Sequence, residues 1–140
     1  MVLMEKKLNV LLIEDDMIEV MKFNRTVSSL TLKHNITEAN NGEEALAFLQ
    51  KKDELPDVIL LDLNMPKING IEFLTILKND DVLKYIPTII LTTSNNQRDL
   101  LECYKIGIAG YVLKPLKYED YMVKIEKVLD YWSINELKRV

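Results

Sequence analysis

Short apolar runs alternate along the chain with longer stretches of helical spacing. The run Val58-Ile59-Leu60-Leu61 has no polar position, as a strand buried on both faces requires. It ends on Asp62, and Pro66 follows four residues later to stop the strand. Residues 8–13 form a similar run that ends in Glu14-Asp15-Asp16. The same reading predicts a weaker second strand over 35–39, a third over 57–61, a strongly β-branched fourth over 88–92 and a fifth over 110–113. The first helix is predicted to run to about residue 30, with apolar Ile18, Met21, Val27 and Leu30. Further helices are predicted over 43–50, from Asn69-Gly70 through Leu77, over 96–106 and over 118–132. Asp16 is placed to cap the first helix, with Glu19 three residues on to complete a capping box. Gly107 is placed to close the fourth helix.

Five strands alternating with five helices on short connections predict an α/β fold with a parallel sheet covered on both faces. At 140 residues the chain has room for one well-packed core. The expected division is an extension over 1–7, a single domain over 8–131 and a helical extension or tail over 132–140. In that tail Trp132, Ile134 and Leu137 are spaced to continue an apolar helical stripe, which suggests a homodimer contact.

Composition narrows the function. A net charge of −4, with Lys and Arg scattered, argues against direct nucleic-acid binding. No apolar run reaches membrane-spanning length and no secretory leader is present, so the expected location is cytoplasmic. Cys103 and His34 are each the only residue of their kind, which leaves no material for a disulfide framework, a zinc site or a Cys/His pair.

The remaining chemistry lies at the C-terminal tips of the strands, where open α/β sheets place their binding crevice. Those tips carry Glu14-Asp15-Asp16, Asp62, Thr92-Thr93 and Lys114-Pro115. Clustered carboxylates repel one another unless a cation neutralises them, and an all-oxygen set suits Mg²⁺. A carboxylate beside such an ion can attack phosphorus and form an aspartyl phosphate. Lys114 offers a point charge for phosphate oxygens, and Thr92 a hydroxyl donor.

The set Ile13-Glu14-Asp15-Asp16, Leu61-Asp62-Leu63-Asn64-Met65-Pro66, Leu91-Thr92-Thr93-Ser94 and Lys114-Pro115 strongly resembles the receiver domain of bacterial two-component response regulators, over about residues 8–131. The resemblance implies a flavodoxin-like, doubly wound, three-layer fold with strand order 2-1-3-4-5. It implies that Asp62 is the phosphoacceptor, with Mg²⁺ held by Glu14, Asp15, Asp62 and the backbone carbonyl of Asn64. It assigns the switch hydroxyl to Thr92, phosphate pairing to Lys114 and the switch aromatic to Tyr111, and it implies a cis Lys114–Pro115 peptide bond. The implied donor is a sensor histidine kinase or histidine phosphotransfer protein. The implied output is a change in protein–protein contacts on the face of the fourth helix, fifth strand and fifth helix. Such a domain is a signalling phosphoacceptor rather than an enzyme, with weak intrinsic autophosphorylation and autodephosphorylation. With no DNA-binding segment after residue 140, the signal is expected to leave through a protein partner.

One departure concerns Thr93, where many receivers carry Ala or Gly. The Leu-Thr-Thr-Ser form is similar to small regulators associated with phytochrome-type kinases. Three alternatives stand beside this reading. A phosphorylation-independent, receiver-like binding module would keep the fold without the chemistry. An aspartyl-phosphate phosphohydrolase of the haloacid-dehalogenase type would carry a second Asp where Asn64 stands. A flavin-binding protein would place a Ser/Thr/Gly-rich loop where Glu14-Asp15-Asp16 stands.

Overall fold

The computed structural model describes residues 6–65 and 68–137. Pro66, expected to stop the third strand, and the parts of the two terminal extensions at 1–5 and 138–140 lie outside the described residues. Five parallel strands, β1 (Asn9–Ile13), β2 (Asn35–Ala39), β3 (Val58–Leu61), β4 (Thr88–Thr92) and β5 (Gly110–Leu113), form one sheet in the order β2-β1-β3-β4-β5. The helices are α1 (Met17–Ser29), α2 (Gly42–Gln50), α3 (Gly70–Lys78), α4 (Gln97–Ile106) and α5 (Tyr118–Ser133), with a 3₁₀ turn at Leu83–Tyr85.

Alternation along the strands builds two cores. Leu11, Ile13, Ile59, Leu61 and Ile90 point to one face and meet Ala45 and Leu49 of α2, Phe73, Leu74 and Leu77 of α3, and Cys103 of α4. Val10, Leu12, Val58, Leu60, Ile89 and Leu91 point to the other and meet Val20, Phe23 and Val27 of α1 and Tyr121, Ile125 and Leu129 of α5. Both faces of β1, β3 and β4 are therefore buried, which explains runs without polar positions. Burying a side chain the size of Phe23 contributes about 1.5–3 kcal/mol. The result is the three-layer, doubly wound arrangement expected from the sequence. Among the described residues no helix is long and apolar enough to cross a membrane.

Three local expectations are corrected. Ile18 and Met21 do not face the core: both are exposed, as is Met17, while Val20, Phe23 and Val27 supply the buried face of α1. Glu19 does not return to the Asp16 amide to complete a capping box. Asp16 alone caps, accepting from the Ile18 amide at 2.9 Å, and its own amide donates to Glu14 Oε2 at 3.3 Å. Finally, the described residues hold no cis peptide bond, so Lys114–Pro115 is trans, the isomer that X–Pro amides favour by about 0.5–1 kcal/mol.

Three further helices are capped by asparagines, and the Gly107 cap stands where it was expected. Asn41, Asn69 and Asn96 accept from the first-turn amides of α2, α3 and α4. Gly107 ends α4 at φ 123°, a left-handed conformation open to glycine. At the tail, α5 stops at Ser133, and Trp132 and Leu137 pack on the chain's own α1/α5 core, leaving Ile134 as the exposed member of the trio.

Candidate functional site

The strand ladders extend one residue beyond the sheet and set the site in register. The Glu14 amide donates to the Ala39 carbonyl at 3.0 Å, the Asp62 amide to Ile13 at 3.1 Å and the Lys114 amide to Thr92 at 2.8 Å. Three neighbouring strands thus deliver Glu14, Asp62 and Thr92 at one level, and β5 delivers Lys114 beside them. One ligand oxygen from each of Glu14, Asp15 and Asp62 lies within 4.8 Å of the others. Glu14 and Asp62 are buried, whereas Asp15 is exposed at the mouth.

Gly70 holds the Asp62 loop against α3. Its amide donates to the Leu63 carbonyl at 3.1 Å. A Cβ at this position would lie 2.7 Å from Leu63 Cα and 2.8 Å from the Asp62 carbonyl oxygen. No side chain larger than hydrogen fits there without moving the backbone that carries Asp62. The sequence showed Asn69-Gly70 as a helix start, but nothing in it signalled this contact.

The charges in the pocket answer one another. Lys114 Nζ meets Glu14 Oε1 at 2.5 Å, with both side chains nearly excluded from water. Burial pushes the Glu14 carboxyl up to about 7; the Lys114 hydrogen bond opposes that rise and the Asp62 charge adds to it. Burial also raises the Asp62 carboxyl above its ordinary value. Lys114 and hydrogen bonds from the Thr92 hydroxyl and the Asn64 amide pull it back down, and the Asp15 charge adds to the rise. Two buried acids that resist ionisation beside one lysine form a site short of positive charge. An oxygen-liganded divalent cation fits that deficit.

Thr92 is fully buried, its hydroxyl shared between Asp62 and the Ser94 amide, which donates to it at 3.3 Å. Thr93 points outward and is exposed. Tyr111 is half-buried against the α2–α4 core, and its hydroxyl donates to the Ser94 carbonyl at 2.7 Å. The switch candidates Thr92 and Tyr111 therefore meet on one residue, Ser94. Asn64 is exposed and lies two residues past Asp62 in the same loop.

Glu19 is a residue that sequence reasoning gave another task. From the first turn of α1 its Oε1 lies 4.0 Å from Lys114 Nζ. His34 and Cys103 are structural: His34 Nδ1 accepts from the Leu8 amide at 3.0 Å, and Cys103 is buried in the core. A cavity of about 560 Å³ lies at the opposite end of the sheet, lined by residues including Asn9, Phe48, Leu55, Asp57 and Tyr85.

Comparison with known proteins places this geometry. The response regulator receiver domain profile matches residues 10–126. The chain is 34% identical over 127 residues to the probable methanogenesis regulatory protein FilR2 of Methanothrix harundinacea, covering 88% of this chain and 82% of that protein. It is 32% identical over 128 residues to response regulator Rcp1 of Synechocystis sp., covering 88% and 87%. The Mn²⁺-bound structure of Rcp1 superposes with a TM-score of 0.87 at 30% identity, covering 94% of this chain and 99% of that one. The phosphorylated cyanobacterial phytochrome response regulator RcpA superposes with a TM-score of 0.89 at 29% identity, covering 95% and 99%. The chain belongs to the response regulator receiver domain family, the signalling domains of two-component systems.

Proposed function

We propose that the chain is a phosphoacceptor switch in which Asp62 takes a phosphoryl group from the phosphohistidine of a sensor kinase or phosphotransfer protein. The observation that carries this reading is the convergence of Glu14, Asp15 and Asp62 within 4.8 Å, with the Lys114 ammonium on Glu14 in the same buried pocket. Asp15, Asp62 and the Asn64 carbonyl would hold Mg²⁺. Glu14 would act from further out, since Lys114 engages one of its oxygens and the Asp16 amide the other. The ion, when bound, supplies positive charge against the oxygens of the transferring group. That similar proteins are known in a Mn²⁺-bound form, Rcp1, and in a phosphorylated form, RcpA, supports both halves of the proposal.

An Asp62 carboxylate oxygen attacks phosphorus, the N–P bond to the donor histidine breaks and an acyl phosphate forms. Lys114 leaves Glu14 to pair with a phosphoryl oxygen. The Thr92 hydroxyl, already on the Asp62 carboxylate, turns to donate to another. That motion withdraws Thr92 from the Ser94 amide and disturbs the turn to which the Tyr111 hydroxyl is bonded. The phosphoryl group thus biases two arrangements of the β4–α4 loop. The readout surface is the face of α4, β5 and α5, where Leu101, Tyr104, Leu113 and Val123 are exposed. Around the mouth, Met17, Ile18, Met21 and Leu116 are exposed on the segments that follow Asp15 and Lys114, and they offer a donor protein an apolar seat. The domain contributes to transfer and to later hydrolysis, in which water attacks phosphorus, inorganic phosphate leaves and the Asp62 carboxylate is restored.

The test is incubation with acetyl phosphate and Mg²⁺ followed by intact mass spectrometry. One phosphoryl mass is expected on the native chain, none after EDTA and none on Asp62→Asn. Failure of both acetyl phosphate labelling and beryllofluoride binding would reject the proposal.

A further inference from the structure

The Lys114 ammonium sits between two carboxylates from different elements. Glu14, at the tip of β1, is 2.5 Å away and Glu19, in the first turn of α1, is 4.0 Å away. Glu19 is itself fixed from behind. Its Oε2 is buried without a hydrogen-bond partner and faces Lys22 Nζ at 3.2 Å. Lys22 in turn lies 4.5 Å over the ring of Tyr121, a fully buried residue of α5. The row Glu14, Lys114, Glu19, Lys22 alternates in sign, and its far end is anchored in the α1/α5 core. Glu19 is not among the acids whose oxygens converge on the candidate metal position. Among the described residues its ion-pair partner on the pocket side is Lys114.

A divalent cation held by Asp15 and Asp62 would also attract the Glu14 carboxylate, which the Lys114 ammonium shares. A buried ammonium that loses its counter-ion is drawn toward water unless a second anion holds it. We propose that Glu19 is a positioning residue for Lys114, keeping the ammonium seated in the pocket, and so within reach of a phosphoryl group on Asp62, when Lys114 leaves Glu14. This rests on the receiver reading above. It gives Glu19 a task beyond that of an i,i+3 partner for Lys22, whose removal leaves the pocket untouched.

The experiment is a cycle of four proteins: native, Glu19→Gln, Lys114→Met and the double variant. Each is titrated with beryllofluoride in saturating Mg²⁺, followed by the ¹⁹F resonance of the bound anion, and with Mg²⁺ alone by calorimetry. Glu19→Gln is expected to weaken beryllofluoride binding about five-fold, as loss of a partly screened charge contact does, while Mg²⁺ affinity stays within about two-fold. In the Lys114→Met background, Glu19→Gln is expected to cause no further loss, because there is no ammonium left to position. An unchanged affinity in Glu19→Gln overturns the inference, as does a loss of the same size in both backgrounds. Should Lys114→Met fail to fold, the Lys114 ¹⁵Nζ resonance of the Mg²⁺-loaded protein decides. It is expected to shift in Glu19→Gln, and a stationary resonance overturns the inference. Absence of beryllofluoride binding by the native chain overturns the receiver reading itself, an outcome distinct from native binding that Glu19→Gln leaves intact.

Discussion

Strand β3 is bracketed by two buried aspartates, and they live under opposite conditions. Asp57, just before the strand, is tied to the neighbouring β1. Its carboxylate accepts from the Asn9 amide at 2.8 Å and its own amide donates to the Asn9 carbonyl at 2.7 Å. Asp62, just after the strand, faces Glu14 and Asp15 across the pocket, and burial raises its carboxyl. Asp57 is bonded to backbone of the next strand and helps set its register. Asp62 is held among charges that a further cation, or a phosphoryl group with its counter-ions, would resolve. A buried acid on its own identifies neither kind; its partners do.

The most drastic way to separate the two is to neutralise each. Asp62→Asn is expected to abolish phosphoryl uptake from acetyl phosphate and to raise the melting temperature by removing one of the mutually repelling acids. Asp57→Ala is expected to retain uptake and to lose about 1–3 kcal/mol in urea unfolding, since the Asn9 amide is left without its acceptor. Loss of uptake in Asp57→Ala with a native-like fold would dissolve the contrast. Next in size is Gly70→Ala, whose methyl meets the Asp62 carbonyl, the Leu63 backbone and the Leu63 side chain. An overpacking cost of about 1–3 kcal/mol is expected, with reduced beryllofluoride affinity in the folded fraction. A normal affinity would show that the turn absorbs the methyl.

A pH series sharpens the electrostatic half of the comparison. The Glu14 carboxyl stands at about 7 against an ordinary 4.5. A group raised in the folded state favours folding fully below 4.5, and that contribution disappears as pH rises through about 7. Mg²⁺ requires the charge that burial penalises, so its affinity is expected to climb as pH passes from 6 to 8, with proton release on binding that falls away toward pH 8. Calorimetry in two buffers of different ionisation enthalpy measures that release, and a pH-independent affinity contradicts the assignment. The smallest effect concerns access. Thr93→Ala is expected to speed labelling by acetyl phosphate about two-fold by lowering a side chain at the mouth. An unchanged rate would mean that Thr93, exposed beside Thr92, leaves the path clear.

The sheet was legible in the sequence because strands buried on both faces leave no polar position, and Val58-Ile59-Leu60-Leu61 shows that without help from neighbours. Asp62 and Glu14 were legible because each follows such a run directly, and Lys114 because it stands before Pro115 at the end of the fifth strand. The face of α1 was not. Met17, Ile18 and Met21 are as apolar as Val20, Phe23 and Val27, and helical spacing fits either set; only the packing of α5 selects one. Glu19 was assigned by local grammar to a capping box. The competing partner is Lys114, ninety-five residues later, and a pairing at that separation has no sequence signature. The trans Lys114–Pro115 bond likewise departs from what the family resemblance implied.

Gly70 carries a mechanical consequence. Because backbone atoms of Leu63 and Asp62 and the tip of the Leu63 side chain already occupy the space a Cβ would take, α3 and the turn bearing the acceptor pack backbone against backbone. Helix α3 also packs against α4. A small slide of that helix pair along the sheet therefore reaches the Asp62 carbonyl without slack, and the aim of the carboxylate is inherited from the seating of a helix rather than from the loop in which it is written.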